Sequence, residues 1–376
     1  MLKYITIIII FVLMLFACSD KKSTDPITND GKKWRIGYYE GGPYKDYQTY
    51  FIALVKGLEK LKWIPEVNIP KRIGNSDNRE IWDYLSKIDS EYIEFVKEAY
   101  WSADWYEEKR DINKLNAIVY LQKKKLDLII AAGTWAGLDL ANNSHQIPVI
   151  VISSSDPVRA GIIKSCKDSG LTNVYSPCDP EQYVRQIRVF HNIVEFKKLG
   201  IVYEDTPEGR IYASLDDADI VAKEKNFEVI TCIARDYNQT DYESMLLMYK
   251  CHEELATKVD ALYITAHRGT DPKFMPKVLE PLFKYKIPTF AQEGPDQVER
   301  GVMLSIARSD EENRGLFNAT TIARIFNGET PRNISQIFKE EKRIVINLET
   351  ARIIGYKIPK SIIDAADYTY KKIEND

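Results

Sequence analysis

The sequence predicts an α/β protein made of two doubly wound parallel-sheet lobes joined by a hinge, and three observations carry that expectation. From Trp34 onward, short β-branched runs alternate with longer amphipathic stretches; this spacing marks right-handed βαβ units, whose helices cover both faces of a mostly parallel sheet. The clearest strands, Asp127 to Gly133 and Pro148 to Ser153, are continuous apolar runs, as strands buried on both faces must be. The chain has 376 residues, which suits two domains. So many parallel strands fit two open sheets better than a (β/α)8 barrel, the alternative.

The chain opens with Lys3 and an apolar run from Tyr4 to Phe16, well short of the ~20 residues needed to span a bilayer as a helix. The run ends in Leu15-Phe16-Ala17-Cys18, which resembles a bacterial lipobox. Residues 1–17 are expected to be a lipoprotein signal peptide and Cys18 the lipidated residue, against the alternative of an uncleaved anchor helix. Several acyl chains on one residue anchor stably where one would not. Residues 18–32, polar and poor in apolar side chains, read as a flexible tether.

Trp34 to Tyr39 is the first strand candidate, and Tyr47 to Trp63 is helix-like, with Phe51, Leu54, Val55, Leu58 and Leu61 on one face. Residues 66–90 look like an insertion, and Tyr92 to Trp101 could be strand or helix. Ile112 to Lys124 is helical, its lysine run suiting a helix C-terminus. After the two apolar strands come Val174-Tyr175, a helix from Pro180, the strand Leu199 to Tyr203, and further alternations through Ala291. The expected division is 33–153 for lobe 1, completed by about 290–330, and 154–289 for lobe 2, completed by about 331–376. Cys166, Cys178, Cys232 and Cys251 could pair in three ways or stay as buried thiols.

Apolar residues make up 44% and charged residues 28% of the chain, which excludes a disordered protein. A net charge of −3 argues against a nucleic-acid partner, which calls for a basic face. Catalytic signatures are missing: no phosphate loop, no nucleophile elbow, no dinucleotide fingerprint. His252-Glu253-Glu254 begins like a zinc-protease helix, but position 256 is alanine. The expectation is therefore a non-enzyme with no catalytic residue, metal or cofactor.

Four blocks carry a family resemblance: Asp127 to Ala136, Ile147 to Ile163 with its Ser-Asp-Pro-Val core, Lys198 to Tyr203, and Ile344 to Pro359 with Ile-Asn-Leu-Glu-Thr-Ala, followed by Ala366-Asp367. In that order they resemble the ABC-importer substrate-binding proteins related to bacterial tryptophan- and tyrosine-binding lipoproteins. The resemblance implies a type I periplasmic-binding fold that closes on a small molecule. It also implies an extracytoplasmic, lipid-anchored monomer that delivers an amino acid or related zwitterion to an ABC permease. A sensory lipoprotein reporting to a membrane kinase is the alternative. Where the family often has Asp-Asn-Thr, this chain has Ala266-His267-Arg268.

Ligands of open parallel sheets bind beyond the strands' carboxyl ends, and that rule selects the candidate ligand residues. Thr134, at a helix start, suits a carboxylate, as do Ser154 and Ser155; Asp156 and Glu293 could hold an ammonium. Asp205 and Thr206 would face the first lobe across the cleft, and Gln292 follows a strand near the hinge. Tyr39, Tyr44 and Trp135 could sandwich an apolar or planar group, with Trp101 and Trp105 as weaker candidates. His267 and Arg268 add positive charge at the rim; Arg268 could bind an extra anionic group, or else point to solvent or pair with Asp271.

Overall fold

The computed structural model describes residues 23–69, 78–308, 311–338 and 342–374. The signal region and Cys18 lie outside the described residues. The first lobe runs β1 (Trp34–Glu40), α1 (Lys45–Lys60), α2 (Asn78–Leu85), β2 (Ile93–Ser102), α3 (Glu107–Gln122), β3 (Leu128–Ala132), α4 (Gly133–Leu140), β4 (Val149–Ile152) and β5 (Val174–Tyr175). Its sheet is wholly parallel, in the order β2-β1-β3-β4-β5.

The second lobe runs α5 (Gln182–Val194), β6 (Lys198–Tyr203), α6 (Pro207–Tyr212), α7 (Leu215–Lys225), β7 (Glu228–Ile233), α8 (Asp241–Leu255), β8 (Ala261–Ile264), α9 (Met275–Val278), α10 (Glu280–Lys284), β9 (Thr289–Ala291), α11 (Pro295–Glu299) and β10 (Leu304–Arg308). The chain then returns to lobe 1 as α12 (Glu311–Phe326). It ends in lobe 2 with β11 (Lys342–Asn347), α13 (Leu348–Ile354), α14 (Lys360–Ala365) and β12 (Tyr368–Tyr370). The second sheet is ordered β12-β11-β10-β9-β8-β6-β7, with β11 antiparallel to β10.

The lobe boundaries differ from those expected. Residues 154–175 stay with lobe 1, because β5 pairs with β4, and β9 and β10 stay with lobe 2. Only the segment around α12 crosses back. Its small residues allow this: a Cβ on Gly315 would overlap the Ala53 carbonyl, and one on Gly57 would lie 2.6 Å from the Gly315 carbonyl oxygen. Two helices can approach this closely only where side chains are absent.

The apolar runs of the central strands are buried, as in β3, where every residue is inaccessible. In α1 the predicted stripe of Phe51, Leu54, Val55 and Leu58 is fully buried, each worth ~1.5–3 kcal/mol against exposure. The region expected as an insertion contributes to the same core, since Ile81, Trp82 and Leu85 of α2 are fully buried. The ambiguous stretch from Tyr92 to Trp101 falls on strand β2 (Ile93–Ser102), paired to β1 with a bulge between Ile36 and Tyr38. No helix begins at Pro157; residues 157–160 form a turn.

The first and third lobe crossings run side by side. Cys178 N–H donates to the Gln336 carbonyl at 2.8 Å, and Phe338 N–H to the Cys178 carbonyl at 3.2 Å. Cys178 is also disulfide-bonded to Cys166, with Cα atoms 5.4 Å apart, and Cys232 to Cys251 at 5.6 Å. Among the pairings left open by the sequence, these are the two present.

Candidate functional site

The strand ends of the two lobes face each other across a cleft, and side chains from both line a cavity of about 50 Å³ within it. Lobe 1 supplies Tyr44, Asp46 and Tyr47 from the start of α1, Trp105 from the β2–α3 loop, Thr134 from the first turn of α4, and Ser153 and Ser155 after β4. Facing them are Tyr183 at the start of α5, Tyr212 at the end of α6, Asp236 after β7, Ala266 to Arg268 after β8, and Gln292 and Glu293 after β9. Five aromatic side chains thus share the wall with three carboxylates.

Local backbone chemistry places these groups. Gly133 begins α4 with φ +87°, a conformation open to glycine and costly for other residues. A Cβ there would overlap the Tyr47 hydroxyl, so this glycine lets the phenol approach the helix start. Thr134, next in sequence, has its Oγ1 3.3 Å from Ser154 Oγ. The free N–H groups and dipole of that first turn favour a negative group nearby.

The opposite wall is acidic. Glu293 accepts from the Tyr44 hydroxyl across the lobes and from Gln297 Nε2 at 3.2 Å. Burial, with Glu293 adding its charge, raises the Tyr44 phenol well above its ordinary value, so it stays a neutral donor. Gln292 acts as a bracket: its amide donates to the Tyr212 carbonyl at 2.8 Å and Ser214 Oγ at 2.9 Å, and its Oε1 accepts from Ala266 N–H at 2.9 Å. Burial lowers the His267 imidazole below its usual range; its Nδ1 accepts from Gly269 N–H at 2.9 Å, as the neutral ring can.

The lobes are closed on each other. Lys45 pairs with Asp296, Arg159 Nη2 lies 2.8 Å from Asp217, and the Tyr183 hydroxyl donates to the Ser155 carbonyl at 3.1 Å.

Of the sequence-predicted residues, Tyr44, Trp105, Thr134, Ser155, His267, Arg268, Gln292 and Glu293 line the cavity together. The others lie elsewhere. Tyr39 projects to the opposite face of the sheet from Tyr38 and donates to Asp139 at 3.0 Å. Trp135 backs the wall, between the Arg110 guanidinium (4.4 Å) and the rings of Trp105 and Tyr237, each 5.7 Å away. Ser154 and Asp156 line a neighbouring hinge-side recess, where Asp156 accepts from Val158 and Arg159 N–H as a turn cap. Asp205 is exposed, and Thr206 caps α6 by accepting from Gly209 N–H at 2.9 Å. Arg268 is buried and pairs with Asp236 and Asp241, neither reaching solvent nor bonding Asp271 by its side chain. His252, the false zinc ligand, is buried with Nδ1 2.7 Å from the Val278 carbonyl. Trp101 packs in the lobe 1 core.

The strand-end rule missed Asp46, Tyr47, Tyr183 and Tyr212 because they sit on helices. Asp236 had a usable signal, since it follows a readable strand, β7.

Among the described residues no cluster of His, Cys, Asp or Glu fits a metal, and no helix is long and apolar enough to cross a membrane. A family model for ABC transporter substrate binding proteins matches residues 81–370. The chain belongs to that family. It is therefore a substrate-binding protein and not an enzyme. This binding protein is 26% identical over 231 residues to a tyrosine-binding protein of Clostridioides difficile (strain R20291), a match covering 61% of the chain and 63% of that relative, just under two thirds of its length. Similar solved structures include a Streptococcus pneumonia ABC domain in complex with L-Trp (TM-score 0.68, 17% identity) and a conserved domain protein of Vibrio cholerae (0.65, 18%). A third is the ligand-free, open form of a substrate-binding protein with adhesive properties from Clostridium difficile (0.58, 20%). Each covers 90% of the binding protein and 100% of the compared chain. At these identities they show the fold, a two-lobed periplasmic-binding architecture.

Proposed function

We propose that this protein is a lipid-anchored, extracytoplasmic receptor that holds an aromatic amino acid between its lobes and delivers it to an ABC importer. The observation that carries the ligand class is the composition of the cavity wall. Tyr44, Tyr47, Trp105, Tyr183 and Tyr212 offer faces and edges to a planar ring. Acidic side chains stand on the Asp46–Glu293 side, and hydroxyls with a helix start stand on the Thr134–Ser155 side.

A zwitterion fits that polarity, its ammonium toward Glu293 and Asp46 and its carboxylate toward Thr134 and Ser155. Since Arg268 is committed to Asp236 and Asp241, the cavity offers no uncommitted guanidinium among its described lining residues for a second anionic group. The similarity to a tyrosine-binding protein and to an L-Trp complex agrees with this ligand class. The lipobox-like Leu15 to Cys18 supports anchoring beside a permease. Closure would follow from the ligand contacting both lobes, and so binding the closed form better than the open one.

Calorimetry with L-tyrosine, L-tryptophan, L-leucine and D-glucose tests the ligand class. Tight binding confined to the two aromatic amino acids is expected. Saturable binding of glucose or leucine with neither aromatic ligand would sink the proposal.

A further inference from the structure

Trp105 holds a backbone conformation that its residue type resists. Its φ is +64° and that of Asp104 is +49°, and two consecutive left-handed residues, one of them a bulky aromatic, persist only where the surroundings over-determine them. Lobe 1 supplies part of that constraint: Trp105 N–H donates to the Gly41 carbonyl at 2.9 Å, and its indole N–H to the Pro43 carbonyl at 2.8 Å. The rest comes from the other lobe. Asn238 N–H donates to the Trp105 carbonyl at 2.9 Å, Asn238 Nδ2 donates to Glu107 at 2.9 Å, and Glu107 N–H donates to Asn238 Oδ1 at 3.1 Å.

One side chain makes several contacts along the segment that presents Asn238, which Glu204 also holds by accepting from Asp236 N–H at 3.1 Å. Arg268 Nη2 donates to the carbonyls of Asp236 and, at 3.2 Å, Gln239. Its Nη1 lies 3.2 Å from the Asp241 carboxylate and its Nε 3.3 Å from that of Asp236. The same guanidinium sits 5.7 Å from the centre of the Trp105 ring. Tyr44, Trp105 and Arg268 line both the ligand cavity and an outer groove on the solvent side, so they form the partition between the two.

We infer that Arg268 is a positioning residue that organises residues 236–241 into a latch on Trp105, and that this latch sets how long a bound molecule stays rather than which molecule is chosen. The inference rests on the aromatic-ligand proposal for its probes. A ligand-anchoring arginine would act on the ligand's own charge; a latch acts on the closed state and therefore equally on every occupant.

The test is stopped-flow binding of L-tyrosine, L-tryptophan and tyramine, which lacks the carboxylate, to wild type, Arg268→Ala and Glu107→Ala. Arg268→Ala is expected to raise the dissociation rate at least tenfold by the same factor for every probe that binds, with association changed less than threefold. Glu107→Ala, which leaves the latch segment intact, is expected to give a smaller rise in the same direction. A loss confined to the carboxylate-bearing probes would make Arg268 a ligand anchor and overturn the inference, as would an unchanged dissociation rate in both variants. Should wild type bind none of the probes, the ligand proposal fails by itself, and the latch is then read from amide hydrogen exchange. Faster exchange at residues 102–107 and 236–241 in Arg268→Ala supports the latch; unchanged exchange overturns it.

Discussion

Alanine at position 133 would strike the cavity wall at its tightest point. The left-handed φ of +87° at Gly133 costs an L-residue ~1–2 kcal/mol. The added Cβ would also overlap the Tyr47 hydroxyl and ring, so the phenol must swing away. Tyr47 is only 6% exposed, and uncovering some 40 Å² of it costs about 1 kcal/mol at ~25 cal/mol per Å². Together these give a loss of about 2–3 kcal/mol, read as a lower urea midpoint at unchanged slope. A double-mutant cycle separates the parts. In a Tyr47→Ala background the new Cβ has room, so Gly133→Ala should cost only its backbone part, leaving a coupling near ~1 kcal/mol. A single-variant loss under ~0.5 kcal/mol, or a cycle additive within that margin, would refute this description of the wall.

Three further outcomes are expected. Burial pushes the Glu40 carboxyl up to about 7, although Tyr38, Tyr100 and Asn78 all donate to it; because the fold prefers the protonated form, its contribution is full below pH ~4.3 and is lost as pH rises to 7. Wild type should therefore lose stability relative to Glu40→Gln across that window, on the order of 3 kcal/mol, and a pH-independent difference in chemical unfolding would contradict this. Replacing both Cys232 and Cys251 by serine opens a link 19 residues apart and should cost ~3 kcal/mol, with wild type under reductant, which also loses Cys166–Cys178, showing a fall in melting temperature at least as large. Asp139→Ala removes the partner of Arg110 (2.9 and 3.0 Å) and Tyr39, and leaving that guanidinium uncompensated should cost ~3–5 kcal/mol in urea unfolding; a loss below ~1 kcal/mol would mean that solvent replaces the pair.

The two-lobe α/β architecture was legible because strands covered on both faces must be continuously apolar, as β3 and β4 are, and because each is followed by a helix or turn. The bounds of the lobe exchange were not legible. The face of α12 that meets α1 is written in the matching absence of side chains at Gly315 and Gly57, and one small residue does not name its distant partner. The cavity divided along similar lines. Strand-end positions such as Thr134, Gln292 and Glu293 follow from topology, whereas Tyr47, Tyr183 and Tyr212 reach it from helices whose tilt is a tertiary property. Tyr39 failed through parity: neighbouring strand residues point to opposite faces, and Tyr38 faces the aromatic core shared with Phe51 and Tyr100. Arg268 was visible as charge in an unusual place, but its role depends on Asp236, Gln239 and Asp241, which the fold alone brings around it.

Native mass spectrometry of freshly purified protein addresses the ligand most directly, because a closed cleft retains its occupant through gentle desolvation. The expected spectrum carries an added mass matching an aromatic amino acid, released on activation and absent when Glu293→Ala and Trp105→Ala are combined. An added mass matching a sugar, or one that persists in that double variant, would contradict the assignment of this cavity to an aromatic zwitterion.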